Sequence, residues 1–196
     1  RRRALFRRFA LAGKPVIVAS RALETAARRR WGVARGKLFF VANGVDASRF
    51  ARSPDPALAA RLGDPADGPL IGTVASLRPE KNLGRLIDAF ARIVAQRTAR
   101  LAIIGEGSER GALEARVRSL GLSSGVFLPG AISDPSAILA AFDLFMLSSD
   151  TEQAPLSLLE AMAAGLPAAC TDVGDIAVMA SAENRPFIVA PDAQAL

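Results

Sequence analysis

The chain has 196 residues, 51% of them hydrophobic and 22% charged, the size and balance of one good-sized globular domain or one and a half small ones. It has no histidine and one cysteine, which excludes histidine-based catalysis, histidine metal sites and a disulfide framework, and no apolar run approaches the roughly 18 residues of a membrane span. Twenty-five Lys and Arg against 19 Asp and Glu leave a net charge of +6, basic but not extreme.

In chain order, residues 1–12 read as a basic helix with Leu5, Phe9 and Ala12 on one side. Arg1, Arg2, Arg3, Arg7 and Arg8, with Arg28, Arg29 and Arg30 further on, form either a solvated helix face or a surface for phosphates or an anionic membrane. The basic start has no apolar core behind it, so no signal peptide is expected, and a first residue of Arg rather than Met points to a fragment. Residues 16–19 are a buried strand, 21–31 a helix and 38–41 a second strand, followed by the turn signal Asn43-Gly44. A loop rich in Ser, Pro, Asp and Gly covers 46–69, with a short helix over 56–62, and is the best boundary in the sequence: 1–48 before it, 49–196 after. Strands and helices then alternate. Strands are expected at 70–75, 101–104, 126–128, 144–147, 168–171 and 187–189, and helices at 82–96, 109–120, 135–141, from Pro155, and at 176–180. That alternation argues for α/β architecture with a doubly wound parallel sheet. Cys170, in an apolar run, reads as a buried strand residue.

The most informative stretch runs from Asp150 to Pro167. A short apolar strand leads into a loop, and Pro155 suits a first helical position because its missing N–H has no partner there anyway. Gly165 and Pro167 stop the helix. Glu152 therefore lies on a loop at the carboxyl end of a strand, the edge where open α/β sheets bind ligands. Glu160 lies about a turn and a half into the helix, a lone carboxylate among apolar and small residues. The N–H groups of Leu156 and Ser157 open the helix and favour an anion such as phosphate. A phosphate-centred ligand with hydroxylated groups at both ends, such as a nucleotide sugar, fits this layout. The plain alternative is a salt-bridged or snorkelling Glu160 and a solvated Glu152.

The spelling from Glu152 to Pro167, Thr-Glu-Gln-x-Pro-Leu followed by Glu-Ala-Met-Ala-Ala-Gly-Leu-Pro, closely resembles the E-x7-E signature of the retaining glycosyltransferases of the GT-B fold, family 4. The resemblance extends across nearly the whole chain. Residues 15–21 and 41–46 look like the last strand and hinge of that family's N-terminal domain, and 70–196 like most of its Rossmann-like, donor-binding C-terminal domain. It implies a fragment cut at both ends, 1–48 belonging to the acceptor domain and 49–196 to the nucleotide-sugar domain. It also implies roles. Glu160 would bind the donor ribose and Glu152 hydroxyls of the transferred sugar. The backbone of Gln153, Ala154, Pro155 and Leu156 would lie along sugar and diphosphate.

Ser76-Leu-Arg-Pro-Glu-Lys-Asn82 is by composition a basic turn. The resemblance makes it the diphosphate loop, with Lys81 and Arg78 as clamps. One departure is that the family often has Arg five residues before this Lys, where Ser76 stands. Gly105, Gly107 and Gly111 nearly spell a dinucleotide fingerprint, but the strand 126–128 lacks the acidic end that a nicotinamide site needs. The resemblance instead puts Gly105 beside the nucleotide and makes the backbone of Ala131 and Ile132 the reader of the base. Asp172 and Asp175 read as caps for the following helix rather than as catalytic acids.

The activity implied is sugar transfer from a UDP- or GDP-sugar, with retention, to a glycan or lipid-linked acceptor bound by the absent domain. It would need no cofactor and no divalent metal. Catalysis would rest on holding the leaving diphosphate with Lys81, Arg78 and the helix start, and the fragment itself would turn over little or nothing. A cytoplasmic location follows, with peripheral contact to the inner face of the membrane an open option. The rivals are a GT-B fold epimerase or phosphorylase, a non-catalytic nucleotide- or carbohydrate-binding module, and a polyanion-binding module with steep salt dependence. Scattered aromatics and the lack of tyrosine argue against nucleic acid.

Overall fold

The computed structural model of the chain describes residues 2–196, so the expected helical start at Arg1 lies outside it. The amino-terminal segment begins with helix α1 (Arg2–Ala10) and strand β1 (Val16–Val18). Helix α2 (Arg21–Arg29) and strand β2 (Leu38–Phe40) follow, and β1 and β2 pair in parallel across α2. Ser20 Oγ accepts the N–H of Leu23 at 3.0 Å and starts α2, as a serine at that position should. Val18, Ala27 and Val33 form a small core. Leu5, Phe6, Phe9, Ile17 and Phe39 remain exposed.

Helix α3 (Pro56–Ala59) leads into six strands. These are β3 (Leu70–Val74), β4 (Arg100–Ile104), β5 (Val126–Gly130), β6 (Leu144–Leu147), β7 (Ala168–Thr171) and β8 (Ile188–Val189). They form one parallel sheet in the order β5-β4-β3-β6-β7-β8. The expected doubly wound sheet is therefore the one observed. Strand residues point alternately to its two faces, and both faces are covered, so the strands read as apolar runs rather than alternating ones. Leu101 and Ile103 pack with helices α4 (Leu83–Val94) and α5 (Arg110–Ser119). Ala102, Ile104, Phe145, Leu147 and Cys170 pack with α6 (Ser136–Leu139), α7 (Leu156–Ala163) and α8 (Ile176–Met179). Cys170 is fully buried, as expected, and burial pushes its thiol up to about 12.

The apolar spacing of Leu83, Leu86, Ile87 and Phe90 gives α4 one buried face. Helix α7 ends in a Schellman cap: Gly165 has φ +75°, its N–H donates to Met162 O at 3.0 Å, and the N–H of Leu166 donates to Ala161 O at 3.0 Å. Pro155 stands one residue before its expected place. With ψ 122° it is the extended N-cap, and α7 starts at Leu156.

Sheet order fixes where a ligand sits. The chain moves outward from β3 through β4 to β5, then returns to β6 on the other side of β3. The loops leaving β3 and β6 diverge at that point and open a crevice at the carboxyl edge.

Candidate functional site

A cavity of about 660 Å³ fills this crevice. Its lining comes from the ends of β3 (Val74, Ala75, Ser76), β4 (Ile104, Gly105, Glu106) and β5 (Ala131, Ile132), and from Lys81. The loop after β6 and the start of α7 contribute Glu152, Ala154, Pro155, Leu156 and Ser157, and the amino-terminal segment contributes Asn43. Most residues singled out in the sequence thus converge on one place. Glu160 does not line this cavity, and neither do Arg78 and Gln153. The latter two line a neighbouring one of about 410 Å³ that shares Ser76, Lys81, Glu152 and Ala154 with it.

One end of the crevice is a closed ionic network. Lys81 Nζ lies 2.5 Å from Glu152 Oε1, with only 19% and 9% of the two side chains exposed. Ser149 Oγ donates to the same carboxylate at 2.8 Å, and Thr171 Oγ1 donates to Ser149 O at 2.7 Å from within the core. The loop carrying Lys81 is fastened to the end of β6: Ser148 Oγ donates to Lys81 O at 3.1 Å and to Asn82 O at 3.0 Å. Asn82 sits in the left-handed region at φ 41°, unusual for a residue with a side chain. Its Oδ1 caps α4 by accepting Arg85 N at 3.3 Å, while its Nδ2 donates to Asp150. Arg85 donates to Ser148 O at 2.8 Å and to Asp150 Oδ1 at 2.6 Å. The amide of Asn82 and the neighbouring Arg85 hold the Asp150 carboxyl below the usual range.

The second acid of the motif lies further along α7, beyond the residues that line the cavity, and has no close partner. The carboxylate of Glu160, half-buried on α7, makes no hydrogen bond or ion pair among the described residues, and burial raises the carboxyl above its ordinary value. Arg49 pulls the other way, but it is engaged by Asp134 at 3.3 Å. Between the two acids in the chain stands the start of α7. The first N–H groups of a helix have no partner within it, and the helix dipole favours an anion there.

Gly105 has its own reason to be glycine. Its φ is +147°, and a Cβ would stand 1.9 Å from Ala75 O, so close backbone packing at the end of β3 requires it before any ligand does. Glu106, exposed in the cavity, is gripped by Arg110 at 2.6 and 2.9 Å, which lowers its carboxyl.

Sequence reading missed three parts of this site. Asn43 was legible only as a turn residue, yet its Nδ2 donates to Ala154 O at 3.0 Å across 111 positions. The buried hydroxyls of Ser149 and Thr171 carry no signal beyond lying in a strand or loop. Asp175, expected to cap its own helix, makes no such bond. Its carboxylate instead accepts the N–H groups of Arg21 and, at 2.9 Å, Ala22, at the start of α2.

Known proteins share both the sequence and the fold. A GDP-mannose-dependent alpha-mannosyltransferase of Mycobacterium tuberculosis is 34% identical over 134 residues, 68% of this chain and 33% of that protein. A glycosyltransferase of Rickettsia africae superposes with a TM-score of 0.83 at 18% identity, over 97% of this chain and 54% of the other, a likeness of fold. The Anabaena protein HepE, solved with UDP and glucose, superposes with a TM-score of 0.79 at 25% identity, over 92% and 50%. The chain spans about half the length of these solved proteins. Residues 55–196, well over half of the chain, match the family of glycosyl transferases group 1, and the chain belongs to that family.

Proposed function

We propose that this chain binds the donor of a sugar-transfer reaction, a nucleoside-diphosphate sugar, in the crevice between β3 and β6. Residues 49–196 make the donor-binding domain and 1–48 the end of an acceptor domain. The observation that carries the proposal is the set of chemistries around one cavity. Lys81 and Glu152 line it as an ion pair, the helix start at Leu156 and Ser157 lines it with open N–H groups, and so do Ala131 and Ile132, while Glu160 lies a turn further along the same helix, outside the lining. That set of groups suits a ligand made of sugar, diphosphate and nucleoside. The neighbours support the same ligand class, since HepE was solved with UDP and glucose and the mycobacterial relative is named for GDP-mannose.

In this reading Lys81, Arg78 and the start of α7 hold the diphosphate as it leaves. Glu152 orients hydroxyls of the sugar, and its engagement by Lys81 and Ser149 suits that task better than attack as a free nucleophile. Glu160 accepts hydrogen bonds from the ribose. Transfer proceeds with retention to a glycan or lipid-linked acceptor held by the other domain of a longer protein.

Isothermal titration of the chain with UDP and GDP, then with their sugars, tests this. Saturable binding of one nucleotide, weakened about tenfold or more by Glu160→Ala, is expected, tenfold being about 1.4 kcal/mol for a lost charge-assisted bond. Binding of any polyanion, steep in salt and indifferent to Glu160, would overturn the proposal in favour of a basic surface module.

A further inference from the structure

Asp175 is the most unusual carboxylate outside the crevice. It is buried, with 5% of its surface exposed, and no Lys or Arg side chain pairs with it among the described residues. A buried charge without a basic partner is costly, and here two backbone N–H groups and the dipole of α2 offset the cost. Those N–H groups belong to Arg21 and Ala22, and Arg21 stands 154 positions away in sequence. They are the first donors of α2, which Ser20 leaves unserved because its hydroxyl takes Leu23.

The same residue holds the loop of Glu152 from the other side. The N–H of Asp175 donates to Gln153 O at 2.9 Å. Gly174 packs so closely on that loop that a Cβ would stand 2.4 Å from Glu152 O, and its φ of +62° also favours glycine. Asn43 binds the next carbonyl, that of Ala154. Two successive carbonyls of the Glu152 loop are thus fastened toward the amino-terminal segment, one directly and one through Asp175.

We infer that Asp175 is a positioning residue that couples the Glu152 loop to α2, so that the loop and the amino-terminal segment move as one unit. The helix would then sense whether the crevice is occupied. The bonds themselves do not depend on the function proposed above. Only the ligand arm of the test rests on it.

Amide exchange of the whole chain, compared between wild type and Asp175→Ala, decides the matter. In the unliganded protein, coupling predicts exchange at least tenfold faster both at residues 21–22 and in the loop 150–154, with β4 unchanged. Faster exchange at 21–22 alone would reduce Asp175 to a cap and overturn the coupling, and so would no change at 21–22. If Asp175→Ala does not fold, Arg21→Pro takes its place. Proline is favoured at the first helical position, Ser20 before it is already extended, and the substitution deletes one of the two donors to Asp175. The loop must again loosen, and a loop that keeps its wild-type exchange overturns the inference. In the ligand arm, UDP slows exchange at 21–22 in wild type and not in Asp175→Ala. A UDP effect that persists in the variant overturns the coupling. A chain that binds no nucleotide counts against the donor proposal, and the unliganded comparison alone then decides the role of Asp175.

Discussion

The Lys81 end of the crevice and the Glu160 position further along α7 solve opposite problems. At the Lys81 end the buried or bridged charges already have partners: Lys81 with Glu152, Glu152 with Ser149, Asp150 with Arg85 and Asn82. At the Glu160 position the carboxylate sits half-buried without a bond, and its surroundings favour the neutral form. A ligand entering the first end must exchange with bonds that exist, whereas at the second it supplies bonds that are missing. The first end is therefore held in shape by its own network, and the second is where binding has the most unsatisfied polarity to relieve. The two acids share one motif and one loop-helix unit, so spacing alone gives no hint that one is satisfied and the other is not.

The largest effect is expected where backbone meets backbone. Gly105→Ala places a Cβ 1.9 Å from Ala75 O at a φ of +147°. It should cost at least about 3 kcal/mol in chemical denaturation and distort the middle of the crevice. An alanine variant as stable as wild type would show that this turn can shift freely. Next comes Lys81→Ala. It leaves Glu152, only 9% exposed, without its cation, and should destabilise the chain by about 2 kcal/mol. Adding Glu152→Gln to Lys81→Ala should recover part of that loss. If the double variant is no better than the single one, the Lys81 end is not the preformed network described above.

Much of this was legible beforehand. The alternation of apolar runs and amphipathic helices is a strong periodic signal, so six parallel strands and the crevice edge were readable. The placing of Glu152 on a loop and Glu160 in a helix was legible because local punctuation, Pro155, Gly165 and Pro167 among it, fixes where loops end and helices begin, whereas Lys81 was singled out by the family resemblance and not by composition. The rest depends on contacts that local pattern does not encode. Nothing near Asp175 says that its carboxylate reaches α2 rather than its own helix, because both are helix starts and only the packing of the amino-terminal segment chooses between them. Asn43 reaches Ala154 in the same way. Arg78 shares its short turn with Lys81, but Lys81 lines both cavities and Arg78 only the smaller one.

The smallest effect separates the two acids most cleanly. Burial raises the Glu160 carboxyl above the value of 4.5 that it has when unburied. Between that value and the raised one, the folded chain holds a proton that the unfolded chain has lost, so stability falls as pH rises through the window. Above the window the folded chain carries an unpaired, half-buried charge. Below about 4.5 the group is neutral in both states and contributes nothing. Glu160→Gln should therefore stabilise the chain at pH 7, by no more than about 1 kcal/mol because solvent still screens the site, and the gain, read as a higher melting temperature, should vanish as pH falls to about 4. Glu152→Gln should show no such gain, since its charge is already matched by Lys81. The same Glu160→Gln change should weaken nucleotide binding. A variant that is more stable and binds less well is the signature expected of a carboxylate kept unsatisfied for a ligand. A Glu160→Gln chain less stable than wild type at pH 7 would mean that the carboxylate already has a partner in solution and that the contrast between the two acids is false.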